Sequence, residues 1–193
     1  MKQNLNFYFP CIEDGGLEKN VFALVNSLAE KKYVINFFTF ESNIKNNQLK
    51  NKFYFHRRIN VINSNFIPWI NIRYFKYFSC FLKLFLFCLS NKGMIISFRG
   101  NILPIIAAKI TGKKVIIRCN TAPSKYINNN LKKGFFKFFY SLSDLILVTS
   151  YDFKKEIKTY FDLKSHVHRQ SLDIKRIKKD SKENFKFDFF QRF

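Results

Sequence analysis

Gly15 and Gly16 stand at the junction most able to do chemistry in this chain. A short apolar run, Leu5 to Phe9, and a loop, Pro10 to Asp14, lead into them. Directly after them Leu17, Val21, Leu24, Val25 and Leu28 recur at i, i+4, i+7, i+8 and i+11, the pattern of one helix face. A strand, a glycine turn and a helix N-terminus together present backbone N–H groups and the positive end of a helix dipole. That combination receives phosphate or another anion, and glycine lets a ligand come close to the backbone. A tight turn without a ligand fits the same two residues. The dinucleotide fingerprint G-x-G-x-x-G is absent.

Three further strand ends carry polar groups. Arg99, Gly100 and Asn101 follow the apolar run Met94–Phe98, and Arg118, Asn120, Thr121 and Ala122 close the run Val115–Cys119. Ser150 and Tyr151 follow Leu145–Thr149. In an open parallel sheet ligands bind at the carboxyl ends of strands, so these residues, with Glu18 beside the glycines, define a polar, cationic rim. Such a rim suits a phosphorylated or hydroxyl-rich ligand. Plainer roles fit as well: Arg99 and Arg118 as solvated charges, Ser150 as a helix cap. His166 and His168 alternate in an extended segment, but two further metal ligands cannot be nominated. No Ser/His/Asp triad, Walker loop or carboxylate pair emerges, so no catalytic or metal-binding residue is assigned.

The elements that would hold this rim alternate along the chain. Strands are expected at Leu5–Phe9, Tyr33–Phe40, Phe53–Phe55, Val61–Ile62, Met94–Phe98, Val115–Cys119 and Leu145–Thr149, with a last extended segment at Val167–Leu172. Helices are expected at Leu17–Lys31, Ile70–Leu89, from an Asn101 cap to Thr111, at Gly134–Leu142, at Tyr151–Phe161 and at Ile174–Lys182. Glu41–Asn51 and the basic, asparagine-rich Pro123–Lys133 read as loops, the second as a mobile one. Repeated strand–helix units predict an α/β fold: a Rossmann-like parallel sheet with helices on both faces.

The 193 residues suffice for one domain with a substantial core, and 47% of them are apolar, which argues against disorder. The 34 basic and 13 acidic residues leave a net charge of +21, a field that favours lipid headgroups, nucleic acid or phosphorylated substrates. No nucleic-acid module accompanies the charge. Cys11, Cys80, Cys88 and Cys119 show no metal-ligand spacing. Eight residues of helix separate Cys80 from Cys88 by about 12 Å, too far for a disulfide, so reduced structural thiols are expected. The polar opening is unlike a signal peptide. Ile70–Leu89 is apolar but interrupted by Arg73, Lys76 and Lys83, which excludes a spanning helix. Arg73, Lys76, Cys80, Lys83 and Ser90 fall on one narrow polar stripe. Two readings follow: a helix covering the sheet with its lysines outward, or an interfacial helix that sets basic side chains on anionic lipid.

Several of these stretches resemble family 4 glycosyltransferases. Asp14-Gly15-Gly16-Leu17-Glu18-Lys19-Asn20-Val21, with Leu24, Leu28, Ala29 and the strand Tyr33-Val34-Ile35-Asn36, is similar to the family's opening G-G-x-E turn and helix. Ile95-Ile96-Ser97-Phe98-Arg99-Gly100-Asn101, Ala107-Ala108-Lys109 and Val115-Ile116-Ile117-Arg118-Cys119-Asn120-Thr121-Ala122-Pro123 follow in the family's order. Asp144-Leu145-Ile146-Leu147-Val148-Thr149-Ser150 with Phe153-Lys154-Lys155-Glu156 resembles its D-x-h-h-h-x-S pattern.

The resemblance implies one half of a GT-B fold and a metal-independent, retaining transfer of sugar from a nucleotide-sugar, a co-substrate rather than a bound cofactor. By this likeness Gly15, Gly16 and Glu18 border the donor phosphates and acceptor cleft. Arg99, Asn101, Arg118, Asn120, Thr121 and Ser150 then face a glycan or glycolipid acceptor. It also implies lipopolysaccharide or polysaccharide synthesis at the inner face of the cytoplasmic membrane, with Arg73, Lys76 and Lys83 on the anionic surface. Asn120 stands where many members carry histidine, and Gln170-Ser171-Leu172-Asp173 where they carry N-P-h-D. No E-x7-E donor motif follows. The expectation is an acceptor-side domain over residues 1–172, with 173–193 opening towards a donor-binding domain that a truncation or a separate chain accounts for. Alone, it is expected to lack transfer activity. A basic membrane-surface or glycolipid-binding module without catalysis is the alternative.

Overall fold

A computed structural model describes residues 4–13, 15–40, 55–65 and 72–168. Seven strands form one parallel sheet: β1 (Asn4–Tyr8), β2 (Val34–Thr39), β3 (Ile59–Asn63), β4 (Met94–Ser97), β5 (Val115–Cys119), β6 (Leu145–Val148) and β7 (His166–Val167). Their order is β3-β2-β1-β4-β5-β6-β7, every neighbouring pair parallel. The order reverses between β1 and β4, the switch point at which such sheets open a crevice beyond their strand ends. Among the described residues five helices accompany them: α1 (Gly16–Glu30), α2 (Arg73–Ser90), α3 (Ile102–Ile110), α4 (Asn130–Ser141) and α5 (Tyr151–Phe161).

Strand alternation sends side chains to two cores, one on each face. Leu5, Phe7, Ile35 and Phe37 pack with Val21, Phe22 and Val25 of α1. Tyr8, Ile95, Ile117 and Val148 pack instead with Cys80 and Leu84 of α2, Ile105 of α3 and Ile157 of α5. Three asparagines sit opposite one another in register, Asn6, Asn36 and Asn60. Asn36 Nδ2 donates to Asn6 Oδ1 at 2.9 Å and Asn60 Nδ2 to Asn36 Oδ1 at 3.4 Å. The two buried amides, Asn6 and Asn36, thus satisfy each other across the sheet, with the exposed Asn60 extending the row.

The alternating elements expected from periodicity are present, with four differences. The segment read as a mobile loop, Pro123–Lys133, contains a 3₁₀ turn at Pro123–Lys125 and the start of α4. That helix begins at Asn130 rather than Gly134, because the Asn129 side chain caps it by accepting from Lys132 N at 2.7 Å. Phe55 lies outside any strand, and β3 spans Ile59–Asn63. Among the described residues the last strand is His166–Val167, starting one residue before the expected segment, whose residues 169–172 lie outside them. Glu41–Asn51, Phe53, Tyr54, the Gln170–Asp173 segment, the helix expected at Ile174–Lys182 and the 172/173 boundary lie outside the described residues.

Candidate functional site

A cleft of about 910 Å³ opens at the carboxyl ends of β4 and β5, beside the switch point. Arg99, Gly100 and Asn101 reach it from the β4–α3 turn, and Arg118, Asn120 and Thr121 from the end of β5. Leu17 of α1, Arg73 and Tyr77 of α2, and Phe136 and Tyr140 of α4 close its sides. Five of the six residues expected to face an acceptor therefore meet in one place. Ser150 does not line it; its Oγ accepts from Phe153 N at 3.2 Å and caps α5.

Gly15 and Gly16 begin α1, and Leu17 rather than either glycine lines the cleft. Gly15 is the N-cap with extended backbone, and the Glu18 carboxylate fills the space beside it. Glu18 is 1% exposed, accepts from Glu13 N at 3.2 Å and pairs with Arg99 Nη2 at 2.9 Å. A carboxylate of the chain itself, in the first turn, thus sits at the start of this helix dipole. Gly100 adopts φ +63°, a left-handed turn, with its Cα against the Tyr77 ring.

The two arginines expected as equals differ in kind. Arg99 stacks its guanidinium 5.5 Å from the Phe9 ring centroid and meets two carboxylates, Glu18 and, at 2.9 Å, Glu13. Arg118 is 3% exposed and lies 5.5 Å from the Phe98 ring centroid. Its Nε and Nη2 are buried without a hydrogen-bond partner among the described residues. Burial lowers the Arg118 pKa, because desolvation disfavours its charged form.

Asn101 does not cap α3, although it occupies the N-cap position. Its Nδ2 donates to the Arg118 carbonyl at 3.1 Å and its Oδ1 accepts from Ser97 Oγ at 2.8 Å, so it ties β4 to β5 under the cleft floor. Asn120 Nδ2 donates to the Phe98 carbonyl at 2.6 Å, and Asn120 Oδ1 is buried without a partner among the described residues. The cleft combines an uncompensated cation, an amide oxygen and aromatic walls. It can hold an oxyanion beside a ring or other apolar body.

The long helix α2 corrects the polar-stripe reading. Cys80, with Leu84 and Cys88, is fully buried against the sheet, because a thiol packs as a small apolar group. The opposite face is apolar: Tyr74, Phe78, Leu82, Leu86 and Leu89 are exposed, while Lys76 and Lys83 are half-buried at its flanks. Helix α4 repeats this with Leu131, Phe135 and Phe138 exposed. No helix among the described residues is long and apolar enough to cross a membrane. No group of three or more His, Cys, Asp or Glu side chains among them is placed to hold a metal. All four cysteines are free and buried.

No family model and no curated protein matches the sequence. Solved structures do. HepE of Anabaena in complex with UDP and glucose superposes with a TM-score of 0.62 at 12% identity, over 90% of this chain and 46% of that one. MurG of Acinetobacter baumannii matches with a TM-score of 0.57 at 13% identity, over 88% of this chain and 46% of its own. UGT73P12 of Glycyrrhiza uralensis, complexed with glycyrrhetinic acid 3-O-monoglucuronide, matches with a TM-score of 0.55 at 12% identity, over 86% and 48%. The chain spans about half the length of these structures and has the fold of one domain of a GT-B glycosyltransferase.

Proposed function

We propose that this chain is the acceptor-side domain of a family 4-like, retaining, metal-independent glycosyltransferase that draws its sugar from a nucleotide-sugar donor. One observation carries the reading: the turn after β4, the end of β5 and helices α1, α2 and α4 converge on a single cleft beside the sheet's switch point. The cleft holds a glycan or glycolipid acceptor, and a donor-binding domain faces it in the active enzyme. Residues 1–193 alone bind the acceptor without transferring to it, since groups that neutralise a departing nucleotide diphosphate are needed from that second domain.

Titration of a panel of soluble oligosaccharides into isotopically labelled protein tests this. Amide signals of Asn101, Asn120 and Thr121 shift if the cleft is the acceptor site. Shifts confined to the opposite edge of the sheet, or measurable transfer by residues 1–193 from UDP- or GDP-sugars, overturn it.

The exposed apolar faces of α2 and α4, flanked by lysines, favour work at the inner face of the cytoplasmic membrane. They also favour the second reading, a basic membrane-surface or glycolipid-binding module without catalysis. Sedimentation with phosphatidylglycerol vesicles separates the two. Salt-sensitive lipid binding with no saccharide or nucleotide affinity selects the module.

A further inference from the structure

We infer that the cleft is built for an acceptor that carries its own oxyanion, a sugar phosphate or a sugar carboxylate, and that Arg118 is the residue that grips it. A buried guanidinium is costly unless paired, and removing the partner of a buried charge ordinarily destabilises a protein strongly. Arg118 is in that unpaired condition at 3% exposure, with Nε and Nη2 both unused among the described residues. Those two atoms form one edge of the planar fork, the edge that donates to two oxygens of a carboxylate or phosphate side by side. Arg99, one cleft wall away, already spends its charge on Glu13 and Glu18. The fold therefore compensates one arginine internally and leaves the other for a ligand.

The surroundings specify what the oxyanion is attached to. Asn120 Oδ1, also buried and without a partner among the described residues, offers an acceptor for a hydroxyl. Phe98, Tyr77, Phe136 and Tyr140 line the same cleft and present aromatic surface to the apolar face of a sugar ring. The lowered pKa of Arg118 agrees with an environment from which water has been taken. Assigning this anion to the acceptor rests on the acceptor reading of the cleft proposed above; anion binding at Arg118 does not.

Thermal unfolding and calorimetric titration of the full chain test the inference, with inorganic phosphate, glucose 1-phosphate, glucuronate, UDP and glucose as probes. Arg118→Met keeps an unbranched apolar stem and removes the charged guanidinium, and Lys155→Gln removes one exposed charge as a control for the +21 field. Without ligand, Arg118→Met is expected to melt at or above the wild-type temperature, because an unpaired buried charge has gone. Glucose 1-phosphate or glucuronate should bind the wild type and Lys155→Gln alike, and bind Arg118→Met at least about tenfold more weakly. Whichever of the two binds tighter identifies the anion. Equal binding by Arg118→Met, or glucose binding as well as its charged derivatives, overturns anion recognition. UDP binding tighter than both sugar anions, with the same dependence on Arg118, moves the anion to the donor and overturns only its assignment to the acceptor.

Discussion

Arg99 Nη2 lies 2.9 Å from Glu18 Oε1, an ion pair that joins the turn after β4 to the first turn of α1 across 81 positions of sequence. Glu18 is almost fully buried, so the pair fixes the mouth of the crevice. Among the described residues Glu18→Gln leaves Arg99 the half-exposed Glu13 as its carboxylate partner, and it is expected to cost about 3 kcal/mol in urea unfolding. The double variant Glu18→Gln/Arg99→Met should lose less than the two single losses added. Strict additivity would show that the two residues do not act as a pair.

Gly100 and Gly134 make opposite predictions. At Gly100, φ is +63° and an added methyl would run into the Tyr77 ring, so Gly100→Ala meets both backbone strain and a clash. A loss of about 2 kcal/mol or more is expected, with weaker ligand binding as Tyr77 is displaced into the cleft. Gly134 lies inside α4 with no atom near an added methyl, and Gly134→Ala should stabilise by about 0.5–1 kcal/mol. Equal effects at the two positions would contradict the cleft geometry.

Asn101 is predicted to matter to the sheet rather than to the helix it precedes. Asn101→Ala strands the Arg118 carbonyl, leaves the Ser97 hydroxyl to its longer 3.3 Å bond to the Arg99 carbonyl, and is expected to cost about 1–3 kcal/mol. Asn101→Asp, a good helix cap, should not rescue the loss, since it offers no donor to the Arg118 carbonyl. Rescue by aspartate would restore the capping role instead.

Burial holds the Cys88 thiol up at about 11 and the Cys119 thiol at about 12, and pushes Cys80 up further. These groups stay protonated in the fold while the unfolded chain begins to ionise near pH 9. The native state then binds more protons, so stability falls as pH rises. Their contribution is whole below about pH 9 and is lost progressively as pH climbs through about 11 and 12. Denaturation midpoints measured from pH 7 to 11 should decline only above about 9. A thiol reagent at pH 8 should label native protein far more slowly than unfolded protein. A flat profile, or rapid native labelling, would contradict this burial.

Much of the architecture was legible from local pattern. Apolar runs of four to six residues and helical spacings report backbone periodicity, which neighbouring residues set among themselves. The glycine turn and the polar strand ends were legible for the same reason, and a parallel sheet then gathers those ends on one edge. Caps were harder to place: Asn101 looked like one and is not, while Asn129 was passed over. An asparagine's side chain chooses between its own helix and a neighbouring strand only once that strand is present.

What the sequence determined by itself, then, is the alternation of strand and helix and the set of polar groups brought to the crevice. The tertiary structure alone decided their roles. Arg99 and Arg118 look alike as strand-end cations, yet topology delivers Glu18 to the first and, among the described residues, no carboxylate to the second. The same holds for α2, where the sheet selected Cys80 and Leu84 for burial and left Tyr74, Phe78 and Leu82 facing outward. Pairing and burial depend on which distant segment arrives alongside, and spacing along the chain carries no record of that arrival.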